Sequence, residues 1–169
     1  LHYVYDPAAN ITSIEDSVHP HVYFKNAVVA ASTDYEYDAV YQLIEAAGRE
    51  HIGQAPAQSV TLDDWHRTRQ PLPNDGQALR RYRERYRYDQ SGNLLEMVHT
   101  AIDGNWRRTY DYAEQSLLES SLVNNRLSHT NSGTITETYR YDEQGNTVAM
   151  PHLKTLGWDH EDQLQTIDL

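Results

Sequence analysis

The chain has 169 residues, a net charge of −11 and no cysteine. This length suits one domain or a piece of a larger one, the charge argues against a surface for nucleic acid or anionic membranes, and the lack of cysteine excludes disulfides and thiolate chemistry. Hydrophobic content is 38%, and thirteen tyrosines stand against one phenylalanine, which favours thin sheet layers over a solid aliphatic core.

A tyrosine–aspartate motif recurs along the chain. Two aromatic residues separated by one position point to the same side of a strand. The aspartate that follows accepts hydrogen bonds from turn amides, and Gly-Asn suits left-handed backbone conformations. Each copy therefore predicts a β-hairpin of strand, turn and returning strand. The repeat positions are Tyr5, Asp6, Tyr37, Asp38, Tyr88, Asp89, Gly92, Asn93, Tyr141, Asp142, Gly145, Asn146, Trp158 and Asp159.

Residues 1–50 are predicted to hold two copies of the motif and an additional hairpin. The additional hairpin turns at Lys25-Asn26, between apolar runs at 21–24 and 27–29. The second copy has a competing interpretation, because the apolar positions from Tyr37 to Ala47 also fit one face of a helix. Alignment with the other copies favours strands there.

Residues 51–80 interrupt the repeats. Pro56, Pro71, Pro73 and Gly76 lie among mixed charges without periodicity, which predicts a loop-rich insertion. Asn74 or Asp75 could cap a short helix that includes Gln77-Ala78-Leu79-Arg80.

Residues 81–169 return to closely spaced repeats. Asp103-Gly104-Asn105 predicts a hairpin turn between strands at 97–101 and 106–112. Tyr110-Asp111-Tyr112-Ala113 is a degraded copy, which keeps both tyrosines and loses the acid after them. The chain starts and stops inside repeats, so we expect it to be a segment of a longer polypeptide.

One strand is predicted to carry two chemically different faces. Arginine occupies every second position from Arg81 to Arg87, and the positions between them are mainly aromatic, with Glu84 among the tyrosines. An arginine row could bind anions or a partner, since guanidinium groups pair bidentately with carboxylates. The simpler interpretation is a row of charges that is solvated or paired across strands.

Other polar clusters predict no catalytic, cofactor or metal site. His19-Pro20-His21 lies near Asp16, yet no third and fourth ligand follow at a recognisable spacing. Neighbouring acids such as Glu15-Asp16 point to opposite faces of a strand, unlike a glycosidase pair. The motif aspartates lack the alternating acidic ligands of a calcium loop. We therefore expect a protein that is not an enzyme.

The Tyr-x-Tyr-Asp-x-x-Gly-Asn-Leu frame resembles the Rhs/YD-repeat proteins. Two longer stretches, Tyr35–Gln54 and Pro73–Asp89, resemble the C component (TcC) of bacterial insecticidal toxin complexes. The resemblance covers essentially the whole chain. It implies an all-β fold, in which antiparallel hairpins form part of a curved, hollow shell.

The resemblance also implies partners and a location. In that family, a B component (TcB) and the remaining repeats of the same polypeptide complete the shell. The shell encloses a toxic domain released by self-cleavage, and the complex is secreted. The cleavage aspartates belong to a segment downstream of the repeats that this chain does not show. We expect no nucleic acid, no cofactor and no membrane contact for this segment.

The leading hypothesis is thus structural: all of 1–50, 51–80 and 81–169 belong to one wall segment of a toxin-enclosing shell. The alternative is a cell-surface module that binds carbohydrate or a receptor through an exposed aromatic row, as in teneurin-like relatives. For that role, Tyr86 and Tyr141 would be the contacts. Under the structural hypothesis, the paired tyrosines stack as ladders across strands.

Overall fold

The computed structural model describes residues 1–54, 75–151 and 153–168. They form two compact units, which meet in sequence between Arg107 and Arg108. The described elements are antiparallel strands and one short 3-10 helix, Ile52–Gln54. The predicted all-β class is therefore confirmed.

The first unit contains a sheet in which β1, β2, β5, β6, β7 and β8 lie side by side in that order. A separate hairpin pairs β3 with β4. The strands are β1 His2–Tyr5, β2 Ile11–Glu15, β3 Val22–Phe24, β4 Ala27–Val29, β5 Ser32–Tyr37, β6 Leu43–His51, β7 Leu79–Tyr88 and β8 Leu94–Ala101.

The strand β9, Trp106–Asp111, begins in the first unit and continues into the second. In the second unit β10 lies between β9 and β11, and two further hairpins pair β12 with β13 and β14 with β15. The remaining strands are β10 His129–Ser132, β11 Ile135–Thr138, β12 Arg140–Tyr141, β13 Thr147–Ala149, β14 Thr155–Trp158 and β15 Leu164–Asp168.

Every complete motif forms the predicted hairpin. The helical alternative after Tyr37 is excluded, because β5 and β6 pair through Tyr37 and Leu43. In each of the five hairpins the strand register shifts at the second aromatic residue, so that this residue pairs with the one six positions later. Such a bulge bends a strand and increases its twist.

The extra hairpin also forms as predicted. Lys25 and Asn26 have φ values of 46° and 61°, and two left-handed residues in succession make the type I′ turn that suits a two-residue hairpin.

The predicted helix over 77–80 is wrong. Leu79 and Arg80 begin β7, because their backbones pair with His51 and Glu50 of β6. Asp75 stabilises a turn before the strand, where its Oδ1 accepts the N–H of Gln77 at 3.0 Å. The rest of the predicted insertion, residues 55–74, lies outside the described residues. The three-part domain division stays a prediction.

The interior of the described part is thin and contains many polar groups. Few apolar residues are buried, and most of them have small side chains: Val22, Val29, Ala46, Ala78, Ala101 and Leu156. Charged and polar residues are buried beside them, including Arg80, His99, Thr130 and Glu137. Since buried polar groups must be hydrogen-bonded, side-chain pairing has to supply much of the cohesion of these sheets.

Candidate functional site: the aromatic–aspartate turns and the faces of the central strand

Five turns share one hydrogen-bonding arrangement centred on the motif aspartate. In the copy at Asp89, Oδ1 accepts the backbone N–H of Ser91 at 2.8 Å and of Asn93 at 2.9 Å, while Oδ2 accepts the Asn93 side-chain amide at 2.9 Å. The N–H of Asp89 donates back to the Asn93 carbonyl. In all five copies Oδ1 accepts the N–H four residues later; the other four aspartates are Asp6, Asp38, Asp142 and Asp159.

The third residue after each aspartate has a left-handed backbone. Glycine occupies this position in two copies, Gly92 at φ 86° and Gly145 at φ 101°. Ala9, Tyr41 and Asp162 occupy it in the others, with φ between 57° and 69°. A left-handed non-glycine residue costs about 1–2 kcal/mol, so the aspartate hydrogen bonds hold the turn even where the residue type opposes it. Counting from the aspartate would have located these three positions in the sequence.

The second aromatic residue of one copy is bonded to the backbone of the preceding copy. Tyr37 donates its hydroxyl to the Ile11 carbonyl at 3.1 Å, and Tyr88 donates to the Leu43 carbonyl at 3.0 Å. Ile11 and Leu43 both lie five residues after the aspartate of the preceding turn. We call these contacts between neighbouring copies aromatic pins.

The second unit repeats the aromatic pins with different residues. The indole N–H of Trp158 donates to the Thr147 carbonyl at 2.8 Å, five residues after Asp142. Tyr141 donates to the Leu127 carbonyl at 3.0 Å. The pins differ from the predicted ring ladders, because the rings present their polar ends to a backbone carbonyl. Tyr3 and Tyr5 do stack, at 6.4 Å between centroids, but along one strand.

The degraded copy closes its turn with other residues. After Tyr112, the side-chain amide of Asn124 donates to Glu114 at 2.8 Å, and its backbone N–H donates to the Glu114 carbonyl at 2.8 Å. Glu114 and Asn124 thus replace the aspartate and asparagine of a complete motif across a longer loop. Leu127, which accepts the hydroxyl of Tyr141, follows this loop.

Hydrogen bonding lowers the pKa of four turn aspartates. The side-chain amide of the asparagine four residues later is the main cause for Asp6 and Asp89. Backbone N–H groups, first that of Gln163, lower the pKa of Asp159. For Asp142 burial acts to raise the pKa, and the hydrogen bonds led by the side chain of Asn146 outweigh it.

Acidification is therefore expected to destabilise the hairpins. A pKa that is lower in the folded state gives a contribution that is fully present above the unfolded pKa and lost as pH falls through the folded pKa. In carboxyl-carbon NMR, Asn93→Ala should raise the titration midpoint of Asp89. Asn105→Ala removes an asparagine that bonds elsewhere, to the N–H of Ala101, and should leave that midpoint unchanged. An unaltered Asp89 midpoint in Asn93→Ala would contradict the assignment.

The two predicted faces of β7 are present. From Arg83 to Tyr88 the arginines are exposed and the residues between them are half-buried. Arg83 and Arg85 reach Glu45 of β6 at 3.2 and 2.9 Å, and Arg87 reaches Glu96 of β8 at 3.3 Å. The interpretation as a row of charges paired across strands is confirmed, because these arginines form ion pairs with glutamates of the same sheet.

The opposite face of β7 contains a buried charge cluster that the sequence analysis did not predict. Arg80 Nε lies 2.7 Å from Glu50 Oε1, with the two side chains 6% and 9% exposed. His99 Nε2 lies 3.2 Å from the same oxygen, and His99 Nδ1 lies 3.1 Å from Glu84 Oε1. We call Glu50, Arg80, Glu84 and His99 the four-residue cluster. It joins β6, β7 and β8.

Aromatic rings enclose the four-residue cluster. His99 stacks between Tyr82 and Trp106, with centroid distances of 5.4 and 5.0 Å. Tyr86 donates its hydroxyl to Glu84 at 2.6 Å. Burial, and then this hydrogen bond, raise the pKa of Tyr86. The position of Glu84 among tyrosines was the only signal in the sequence that this face holds buried charge.

The second unit has its own ion pair, in which Glu137 is buried and Arg108 is partly buried. Arg108 bonds Glu137, and it also donates to the hydroxyl of Thr130 at 3.1 Å. Thr130 in turn donates to Glu137 at 2.7 Å. These residues lie on β9, β10 and β11, so the triad ties three neighbouring strands together.

The segment His19-Pro20-His21 makes one ionic contact. His19 Nε2 lies 3.6 Å from Asp16 Oδ2, and the side chain of His19 is 61% exposed. Among residues 1–54, 75–151 and 153–168, no three histidine or acidic side chains are arranged to hold a metal ion. In the same described residues, no helix has the length and hydropathy to cross a bilayer.

Comparison with known proteins gives relatives along the whole chain. No protein-family model matches. The chain is 33% identical over 129 residues to toxin subunit YenC2 of Yersinia entomophaga, which covers 74% of this chain and 13% of that protein. It is 28% identical to toxin subunit YenC1 of the same organism over 169 residues, covering 99% of this chain and 16% of that protein.

A solved structure resembles the fold of the whole chain. The crystal structure of TcdB2-TccC3-Cdc42 matches with a TM-score of 0.68 and 26% identity, over 99% of this chain and 7% of that one. The chain thus spans 13% to 16% of the length of the two toxin subunits that it matches.

Proposed function

Because the chain belongs to the Rhs/YD-repeat family and resembles the C-type subunits of bacterial toxin complexes, we propose that it forms a segment of the wall of a hollow shell that encloses a toxin. The segment contributes curved antiparallel sheet. It performs no catalysis in this proposal, and it uses neither metal nor cofactor.

The aromatic pins are the observation that carries the proposal. Three of them, made by Tyr37, Tyr88 and Trp158, fix the aromatic residue of one hairpin to the first strand residue after the preceding turn. A bond that repeats between neighbouring copies can extend a sheet by further hairpins, because it joins a donor of one copy to an acceptor of the copy before it. Register shifts at the same aromatic residues bend the strands, as a closed wall requires.

The proposed partners follow from this role. The related crystal structure contains TcdB2 together with TccC3, and we propose that a B-type subunit and further repeats of the same polypeptide complete the shell around this segment. Neighbouring strands would pair with exposed edges such as β1, all four of whose residues are exposed. The assembled complex acts outside the bacterium that secretes it.

The two tyrosines expected to contact carbohydrate are not part of an exposed aromatic row. Tyr86 and Tyr141, the expected contacts, are half-buried. Their hydroxyls donate to Glu84 and to the Leu127 carbonyl. Both hydroxyls are therefore used within the protein itself.

Protease protection tests the proposal. The polypeptide that carries this segment would be produced with a B-type subunit and a reporter in place of the toxin. We expect the reporter to resist protease, and to become sensitive when Tyr37, Tyr88 and Tyr141 are together replaced by phenylalanine, which removes three aromatic pins. Tyr23→Phe is the matched control, since Tyr23 is 78% exposed on the β3–β4 hairpin. A reporter that is cleaved equally with and without the intact segment would refute the role.

A further inference from the structure

The four-residue cluster contains a histidine whose two ring nitrogens both face carboxylates. His99 is 3% exposed. Its Nδ1 lies 3.1 Å from Glu84 and its Nε2 lies 3.2 Å from Glu50. A neutral imidazole has one N–H and one acceptor nitrogen, whereas the imidazolium donates from both. Only the imidazolium makes a hydrogen bond to an ionised carboxylate at each of these two contacts.

Charge balance gives a second reason, on the same premise that both glutamates are ionised. Glu50 and Glu84 bring two negative charges into the cluster, and Arg80 brings one positive charge. The other ring systems against His99 are neutral: Tyr82 on β7 and Trp106 on β9. With both glutamates ionised and His99 neutral, one negative charge of the cluster would remain uncompensated. Buried charges are costly unless they are paired, and an imidazolium brings the sum to zero.

We propose that the four-residue cluster is a proton-dependent clamp, in which a proton bound at His99 holds β6, β7 and β8 together. The three strands supply the members: Glu50 from β6, Arg80 and Glu84 from β7, and His99 from β8. The two aromatic rings exclude water from the faces of the imidazolium, and they leave its edges to the carboxylates. The clamp does not depend on the proposed toxin shell.

The direction of its pH dependence follows from these charges. The stabilising contribution is present while His99 is an imidazolium, and it is lost as rising pH removes that proton.

Nitrogen NMR of the histidine rings tests the protonation state in the unaltered protein. The ring-nitrogen shifts distinguish the imidazolium from each neutral tautomer. We expect the ring nitrogens of His99 to show that both carry a proton in the folded protein, since both face carboxylates. A single neutral tautomer of His99 in the folded protein would overturn the proposal.

Two glutamine variants test the mechanical consequence. In the unaltered protein the melting temperature should fall as pH rises through the titration of His99. In Glu84→Gln most of this decrease in melting temperature should be absent, because one carboxylate partner of His99 is removed. Glu96→Gln is the control, because Glu96 is a carboxylate on the same sheet whose partners are Arg87 and Arg107; it should keep the fall. If the melting temperature of Glu84→Gln depends on pH as strongly as that of the unaltered protein, the proposed clamp is wrong.

Discussion

Replacing Arg80 by methionine is expected to destabilise the protein by about 3–5 kcal/mol, because it removes one partner of a buried ion pair and leaves the cluster with more negative than positive charge. Arg80 and Glu50 are 6% and 9% exposed and lie 2.7 Å apart. Arg80 also donates to the Ile102 carbonyl at 2.5 Å. Methionine keeps much of the side-chain length, so the loss of unfolding free energy is due chiefly to the missing charge and hydrogen bonds.

Arg85→Met is the matched control for this effect. Arg85 lies on the same strand and also pairs with a glutamate of β6, Glu45, at 2.9 Å, but its side chain is 66% exposed. Exposed pairs contribute about 0–1 kcal/mol. Urea unfolding of the two variants should therefore give clearly different losses. Equal losses would mean that burial does not distinguish the two faces of β7.

Gly92→Val is expected to destabilise the hairpin of β7 and β8 by about 1–3 kcal/mol through backbone strain. The φ of Gly92 is 86°, a region that β-branched residues strongly disfavour. A Cβ atom at this position would also lie 3.1 Å from the side-chain nitrogen of Gln42. Because Gln42 lies in the preceding turn, the strain should reach the contact between the two copies.

Gly76→Val provides the comparison. A Cβ atom at Gly76 meets nothing within 4 Å, and a surface change of this kind alters stability by about 0.5 kcal/mol or less. Thermal unfolding should separate the two variants. A tolerated valine at position 92 would show that the aspartate hydrogen bonds alone, as at Tyr41 with φ 66°, are enough to hold a left-handed side chain.

The repeated hairpins could be predicted because their information is local. Tyr88, Asp89, Gly92 and Leu94 lie within seven residues, and the hydrogen bonds of the turn join atoms at most four residues apart. Alignment among copies also resolved the helical alternative after Tyr37. The incorrect helix over 77–80 failed for the opposite reason, since pairing of Arg80 with Glu50, thirty residues away, decided its conformation.

The acceptors of the aromatic pins could not be predicted in the same way. A tyrosine hydroxyl needs a partner when it is half-buried, but nothing near Tyr88 indicates the Leu43 carbonyl, 45 residues away. The sequence shows that the copies are alike. It does not show that each bonds its predecessor, because backbone carbonyls have no residue signature.

The amino-acid sequence alone determined the all-β hairpins, the turn aspartates and the alternation of β7, because strand periodicity and turn chemistry act over a few residues. Only the tertiary structure decided which charges are buried. Arg80 and Arg85 are the same residue type on one strand, and each pairs with a glutamate of β6. The register of β6, β7 and β8 brings His99, Glu84 and Glu50 together. Because these side chains lie in the interior, their charges affect the stability of the fold.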